Sequence, residues 1–280
     1  MDSSIPRDVR LFLEGYPGLP DDPSLNANLK FYTLRQWCLP DKLNLNQIHT
    51  QWAGDYRTLE SNHNFIQWLF PIREQGVNFF AQPLQTHERD AMKSDPDVVA
   101  RVVKSYELML DFYGMKLLSQ ETGLLARVTE PELQWLSRYR NLVRMSHNNL
   151  RITRILKCLS EMGLEHLNAG FLLHFLNEQS EHGQLAPFSL MSSMDRWWAN
   201  CIRNDEERAW LGDLIEDVRN YTTNTVWTRE MYERALERRK ETGSFVERDD
   251  AESEEGEENK SDGQTASPPA AAASPERIAD

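Results

Sequence analysis

The chain has 280 residues, of which 40% are hydrophobic and 27% are charged, and its formal net charge is −13. This length is enough for a substantial core, in one large or two small domains, and the composition is that of an ordinary globular protein. The N-terminus lacks the basic and then apolar pattern of a secretory signal, and no run approaches the roughly 18 apolar residues of a spanning helix. We therefore expect a soluble protein whose membrane association, if it has any, is peripheral.

Three regions follow from the distribution of residue types along the chain. Residues 1–27 are rich in Pro, Asp and Gly and are predicted to form an irregular lead-in. Helical periodicity dominates residues 28–242, and we expect one helical domain there. Residues 243–280 contain eleven acidic and three basic residues and almost no large apolar side chain. Such a segment cannot bury enough surface to offset the entropy of ordering, so a disordered acidic tail is predicted.

The first helix of interest lies in the segment "NHNFIQWLFPIREQG". Phe65, Trp68 and Leu69 share one face of such a helix, and Ile66 and Phe70 extend that face. The helix must end at or before Phe70 because a proline follows. A helix that is apolar on nearly every side normally lies at the centre of a bundle, and we predict this position for it.

The clearest helix begins after Asp95, which can cap it, with Pro96 in the first helical position. Apolar residues then follow at helical spacing as one stripe: Val99, Val102, Val103, Tyr106, Met109, Leu110 and Tyr113. Gly114 is the expected end, although residues 115–118 are compatible with a further turn.

The remaining segments also have helical periodicity. Thr129 and Glu132 have the spacing of a capping box for the next helix. The helix after it, "HNNLRITRILKCLSEMG", is predicted to bury Leu150, Ile152, Ile155, Leu156 and Leu159. Further helices are expected near residues 167–180, 190–202, 205–218 and 228–241. The predicted fold class is therefore all-α, an irregular multi-helix bundle around a central apolar helix.

The sequence carries no signature of a catalytic or cofactor site. It has no GxSxG, GxGxxG or GxxxxGK[ST] motif, and its three cysteines, Cys38, Cys158 and Cys201, are far apart. His49 and His63 are fourteen residues apart, which is not a metal-binding spacing even with Asp55 and Glu60 between them. We expect no enzyme, no metal and no cofactor, and the sparse cysteines favour a reducing compartment.

The most informative charge pattern is a basic segment, defined here as residues 133–160. It contains no acidic residue, although the chain as a whole is acidic, and its basic residues are Arg138, Arg140, Arg144, Arg151, Arg154 and Lys157. Arg151 and Arg154 are neighbours on the polar face of their helix. These side chains could pair with carboxylates of neighbouring helices or of the acidic tail. Alternatively, they could bind an anion such as a phosphate, a nucleic acid or a peptide carboxylate. The acidity of the chain disfavours nucleic acid.

A second candidate feature is a set of aromatic residues: Trp37, Trp52, Trp68, Tyr106, Trp197 and Trp198. Aromatic residues at helical spacing usually belong to a core, but some could line a groove for an aromatic peptide whose amine meets Asp55. The two features together suggest the candidate ligand-binding residues Asp55, Trp68, Arg73, Arg138, Arg144, Arg151 and Arg154.

Four strings occur in a characteristic order: "NLKFY", "NHNFIQWLFPIREQGVNFFAQPL", "SYELMLDFYGMKL" and "SHNNLRITRILKCLSEMGLEHL". They resemble the conserved region of the opioid growth factor receptor family from about residue 28 to about residue 201. "IQWLFP-x-RE" and "HNNLRITRIL" are the most specific of them because they are long and unusual.

The resemblance implies a non-enzymatic receptor for Met-enkephalin, unrelated to the seven-helix opioid receptors. It also implies an intracellular location that is nuclear, perinuclear or cytoplasmic, with peripheral association at the nuclear membrane, and a role in restraining cell growth. The family provides no set of ligand-binding residues to carry over. The alternative from the residues alone is a scaffold or adaptor domain that binds protein partners through its basic segment and acidic tail, without a small ligand.

Overall fold

The computed structural model describes residues 5–129, 134–220 and 222–246. In this part of the chain the helices are α1 Arg7–Leu13, α2 Ala27–Tyr32, α3 Leu45–Gln51, α4 Tyr56–Ser61, α5 Ile66–Leu69, α6 Thr86–Ser94, α7 Pro96–Phe112, α8 Gln134–Arg144, α9 His147–Glu161, α10 Glu165–Ser180, α11 Phe188–Ser193, α12 Asp205–Arg219 and α13 Arg229–Thr242. A π-helical turn, Met194–Trp198, and a 3₁₀ turn, Ala199–Cys201, follow α11. The prediction of a mostly helical fold is confirmed.

Helix α7 begins and ends where the sequence predicts. The Asp95 side chain accepts hydrogen bonds from the backbone N–H of Asp97 at 2.9 Å and of Val98 at 3.3 Å, and Pro96 occupies the first turn. Gly114 has a φ of 88°, which glycine adopts without strain, and it ends the helix. The apolar stripe faces the core, where Val102, Val103, Tyr106, Met109, Leu110 and Tyr113 are buried. The predicted first residue of the stripe, Val99, is only half-buried, and its neighbour Val98 is buried instead.

Residues 115–118 do not add a helical turn to α7. They form strand β1, Met115–Leu117, which pairs antiparallel with β2, Leu125–Arg127, as a small two-stranded sheet. Met115 and Leu125 point into the core and are completely buried. The left-handed turn at Gly114 reverses the chain, so this segment cannot continue the helix.

The N-terminal part of the chain is more ordered than its composition suggests. Residues 7–13, predicted to be part of an irregular lead-in, form α1, which buries Val9 and Phe12. Val9 and Phe12 are three positions apart and share one face of α1, and Asp8 of the same helix also pairs with Lys157 of α9 at 2.9 Å. The tail predicted for residues 243–280 is wrong for its first residues, because Gly243 caps α13 and Phe245 is 1% exposed with its ring stacked on Trp210 at 4.7 Å. The rest of that tail, residues 247–280, and the predicted capping partner Glu132 lie outside the described residues.

The apolar segment 65–70 is buried, but its helix is short. Trp68 is 1% exposed, and its indole N–H donates to the Leu39 carbonyl at 3.1 Å. The helical part, α5, is a single turn before Pro71. The long helix that is buried on nearly all sides is instead α10, which packs against α9, α13 and β2. Segment 65–70 therefore contributes large side chains to the core, whereas α10 forms the central helix of the fold.

Helix α9 has a buried apolar face and a more polar face that includes an exposed leucine. Ile152, Ile155, Leu156 and Leu159 are buried, as predicted, but Leu150 is 74% exposed. Leu150 lies one turn before Arg154 and so belongs to the polar stripe of the helix and not to its apolar stripe. Among the described residues no helix is both long enough and apolar enough to cross a bilayer.

Candidate functional site

The polar stripe of α9 forms one wall of an open cleft of about 340 Å³. The stripe consists of residues at helical spacing: His147, Leu150, Arg151, Arg154 and Lys157. The opposite wall is the segment 66–77, which contains α5 and the chain after it. The cleft is therefore built from two of the most distinctive sequence segments, and we define it as the α9 cleft.

Arg151 attaches α9 to the end of α4. Its guanidinium donates to the backbone carbonyls of Leu59 at 2.8 Å, Glu60 at 3.3 Å and Asn62 at 2.8 Å. The last carbonyls of a helix have no partner within the helix, so this side chain supplies the missing donors of α4. Burial lowers the pKa of Arg151. Its donors are used for structure and not for a ligand.

Arg154 donates fewer hydrogen bonds to the described residues than Arg151 does. Its Nε donates to the Phe70 carbonyl at 2.8 Å, and its terminal N–H groups have no hydrogen-bond partner among the described residues. Burial lowers the pKa of Arg154 to about 10, and neighbouring groups such as the Glu74 carboxylate oppose that shift without forming an ion pair with it. A partly buried guanidinium with free donors is favourable for binding an anion.

The positive charge of Lys157 is balanced by two carboxylates of the protein. Its Nζ is almost fully buried and lies 2.9 Å from the Asp8 carboxylate and 2.6 Å from that of Glu74. Burial opposes its charge, but the two carboxylates outweigh burial and raise its pKa. The charged side chains that line the α9 cleft, Asp8, Glu74, Arg151, Arg154 and Lys157, sum to one positive charge, and the Glu60 carboxylate lies just outside this lining, beside His147. Arg154 forms no ion pair with a carboxylate of the described residues.

Two histidines lie at one end of the cleft. The rings of His63 and His147 are 5.1 Å apart in an edge-to-face arrangement, and His147 Nε2 lies 2.8 Å from a carboxylate oxygen of Glu60. Arg151 donates to Nδ1 of His63 at 3.3 Å. Burial lowers the pKa of His147, although the Glu60 carboxylate opposes that shift.

The cleft also has apolar walls. Ile66 and Ile72 are buried at its base, whereas Leu150 and Val77 stand at its rim with exposed fractions of 74% and 84%. Trp197 completes the lining and is half-buried. The cleft thus combines a guanidinium whose terminal N–H groups have no partner among the described residues with apolar side chains that water contacts. It can receive a ligand that is anionic and apolar at adjacent positions.

The other predicted ligand-binding residues lie elsewhere. Trp68 is in the core against the Phe31 ring, with centroids 5.4 Å apart. Arg73 donates to the Leu19 carbonyl at 2.6 Å. Asp55 is exposed and caps α4 by accepting from the backbone N–H of Thr58 at 3.1 Å.

The two arginines of α8 that are predicted ligand-binding residues, Arg138 and Arg144, are also separate from the cleft. Arg138 is 6% exposed, pairs with Asp111 at 2.9 Å and lies 4.1 Å from the centre of the Tyr56 ring. Arg144, in the last turn of the helix, is exposed to solvent. The basic segment is therefore not one surface: Arg138 and Lys157 pair with carboxylates, Arg151 binds carbonyls, and Arg154 faces the cleft.

The predicted aromatic set is mostly structural. Trp52, Trp68, Tyr106 and Trp198 are buried, and Trp37 is 61% exposed. Trp197 alone in this set lines the α9 cleft. Spacing from Arg151 and Arg154 along α9 would have identified His147, Leu150 and Lys157 as cleft residues. Asp8 and Glu74 come from distant segments, and no local pattern indicates them.

The sequence model of a family described as "Opioid growth factor receptor (OGFr) conserved region" matches residues 21–233 of the chain. The opioid growth factor receptor of Mus musculus is 43% identical over 174 residues, which is 61% of this chain and 27% of that protein. The human receptor is likewise 43% identical over 174 residues, 25% of its length. The opioid growth factor receptor-like protein 1 of Rattus norvegicus is 34% identical over 223 residues, 79% of this chain and 46% of that protein.

The chain spans less than half the length of these curated relatives. No solved structure matches the chain. The range matched by the family model includes both walls of the α9 cleft, because residues 66–77 and 147–157 lie within residues 21–233.

Proposed function

Because the chain belongs to the opioid growth factor receptor family, we propose that it is a non-enzymatic binding protein whose ligand is a short peptide of the Met-enkephalin type. The names of the relatives support a peptide ligand, and residues 21–233 carry the family match. We also propose a nuclear or perinuclear location and a role in restraining cell growth, as the resemblance implies.

The observation that supports binding most strongly is the state of Arg154. Within the described part of the chain, the terminal N–H groups of its partly buried guanidinium have no partner, and the cleft also offers Leu150, Val77 and Trp197 to an apolar group. A buried charge without an opposite charge is costly, and a ligand that brings the opposite charge recovers part of that cost. This arrangement suits recognition of a ligand better than maintenance of the fold.

The direct test is a calorimetric titration of the full-length protein with Tyr-Gly-Gly-Phe-Met. Saturable binding with a dissociation constant below the millimolar range is expected, and a peptide of the same composition in scrambled order serves as the control. The absence of saturable binding up to millimolar peptide would overturn the proposal.

A second function, recognition of a protein partner as an adaptor, is favoured by one observation. Phe79 and Phe80 lie side by side on the surface with exposed fractions of 88% and 62%, and exposed apolar patches often mark contact surfaces. Affinity capture with the wild type and with the double variant Phe79→Ser, Phe80→Ser tests this function. A partner lost only from the variant supports it, and identical captured proteins contradict it.

A further inference from the structure

We propose that the α9 cleft binds the free C-terminal carboxylate of its peptide at Arg154, with the last side chain of the peptide against Leu150 and Val77. This inference rests on the proposed peptide-binding function and adds to it the orientation of the ligand. It assigns the specificity of the cleft to one terminal group of the peptide.

The geometry of Arg154 favours a carboxylate. The bond from Nε to the Phe70 carbonyl fixes the plane of the guanidinium, and the terminal N–H groups remain available. Two parallel N–H donors of arginine match the two oxygens of a carboxylate. Arg151 cannot serve in this way because its donors already bind three carbonyls, and Lys157 already contacts two carboxylates.

The charge of the cleft favours a monoanion. Arg151, Arg154 and Lys157 together exceed Asp8 and Glu74 by one positive charge. A carboxylate balances that charge, whereas a phosphate group with nearly two negative charges would leave the cleft negative. A peptide amine is disfavoured at Asp8 and Glu74 because Lys157 lies between them at 2.9 and 2.6 Å.

The size of the cleft favours the end of a peptide. Its volume of about 340 Å³ is near the lower limit of pockets that enclose a small molecule, so it suits a terminal residue better than a whole pentapeptide. Leu150 is one helical turn from Arg154, and Val77 also lines the cleft. An apolar last residue such as methionine, which adapts to irregular surfaces, is placed beside the carboxylate that Arg154 holds.

The test compares three peptides on the full-length protein by calorimetry: Tyr-Gly-Gly-Phe-Met with a free C-terminus, the same peptide as its C-terminal amide, and Tyr-Gly-Gly-Phe-Glu amide. Each is titrated into the wild type, Arg154→Gln and Arg144→Gln. Arg144→Gln is the matched control, since it removes the same charge from an exposed position outside the cleft. The comparison of peptides on the wild type needs no variant, so it holds even if a variant fails to fold.

The free acid is expected to bind the wild type and Arg144→Gln about tenfold or more tightly than the amide, the range for one hydrogen-bonded charge pair. On Arg154→Gln the acid and the amide should bind equally. Equal binding of acid and amide to the wild type would overturn this inference and leave the proposed function standing. Binding of the glutamate amide as tightly as the acid would overturn the assignment to the C-terminus. Failure of every peptide to bind would overturn the proposed function together with this inference.

Discussion

Nη1 of Arg151 lies 2.8 Å from the carbonyl oxygen of Leu59, so a charged side chain of α9 closes the end of α4. Arg154, one turn further along α9, makes one hydrogen bond to the residues that the structure describes, from Nε to the Phe70 carbonyl. Two arginines three positions apart thus have different roles. The first holds two segments together, and the second presents its charge to a cleft.

This difference predicts unequal effects on stability. Arg151→Gln should lower the free energy of unfolding by about 3 kcal/mol, because several buried carbonyls lose their donor. Arg154→Gln should lower it by no more than about 1 kcal/mol, because one hydrogen bond is lost while an unpaired charge is also removed from a partly buried site. Urea denaturation of the two variants measures the difference, and equal losses would contradict the assigned roles.

A second prediction concerns the close approach of α10 to the loop before β2. A Cβ atom on Gly170 would overlap the backbone carbonyl of Gly123, and neither backbone can move freely. Gly170→Ala should therefore destabilise the protein by about 3 kcal/mol or more. In α12, Gly212 has open space around it, and Gly212→Ala should stabilise by about 0.5–1 kcal/mol.

Thermal or urea unfolding of these two variants checks the packing of the central helix. A neutral effect of Gly170→Ala would mean that α10 and the loop are further apart than the structure shows.

A third prediction concerns the contribution of Trp68 to the core. Trp68→Ala should lower the free energy of unfolding by about 3–5 kcal/mol, because its ring is 1% exposed and packs against Phe31. Trp37→Ala removes the same side chain from a position that is 61% exposed, and a loss below about 1 kcal/mol is expected. Similar losses for the two variants would contradict the burial of segment 65–70.

A fourth prediction concerns pH and His49. Its Nε2 lies 2.8 Å from Ser105 Oγ in the core, and burial, with a smaller effect of Lys104, lowers the pKa of His49 to about 4. In the unfolded chain the pKa of histidine is about 6.5. The unfolded state therefore binds a proton before the folded state does, and stability is lost as the pH falls from about 6.5 towards about 4.

Between pH 7 and pH 5 this histidine should account for a loss of about 2 kcal/mol. The wild type should lose more than this, because burial also lowers the pKa of His174 to about 3 and that histidine acts in the same direction. Urea denaturation at the two pH values should therefore show a loss about 2 kcal/mol smaller in His49→Gln than in the wild type. An unchanged pH dependence in His49→Gln would contradict the prediction.

The sequence predicted the elements whose signals are local. The start of α7 at Asp95 and Pro96 follows from cap chemistry, and the burial of Ile152 and Ile155 follows from helical spacing. The helix at residues 7–13 was not predicted, because Pro and Gly are frequent around it and only Val9 and Phe12 form its buried face. Leu150 was assigned to the core because it is apolar, although it shares the polar stripe of Arg154.

The site was only partly predictable for a similar reason. The absence of acidic residues from the basic segment indicated Arg151 and Arg154 as candidate ligand-binding residues. The neutralisation of Lys157 depends on Asp8 and Glu74, which are 149 and 83 residues away along the chain. Which arginine retains free donors depends on such long-range contacts, and no spacing rule contains that information.

Photo-cross-linking of the peptide to the full-length protein tests the central claim most directly. The peptide Tyr-Gly-Gly-Phe-Met, with a diazirine analogue of methionine at its free C-terminus, is irradiated with the protein and the adducts are located by mass spectrometry. Adducts are predicted within residues 66–77 and 147–157, the two walls of the α9 cleft, and excess unlabelled peptide should abolish them. Adducts confined to exposed aromatic residues outside the cleft, such as Trp37 and Phe188, would contradict the account.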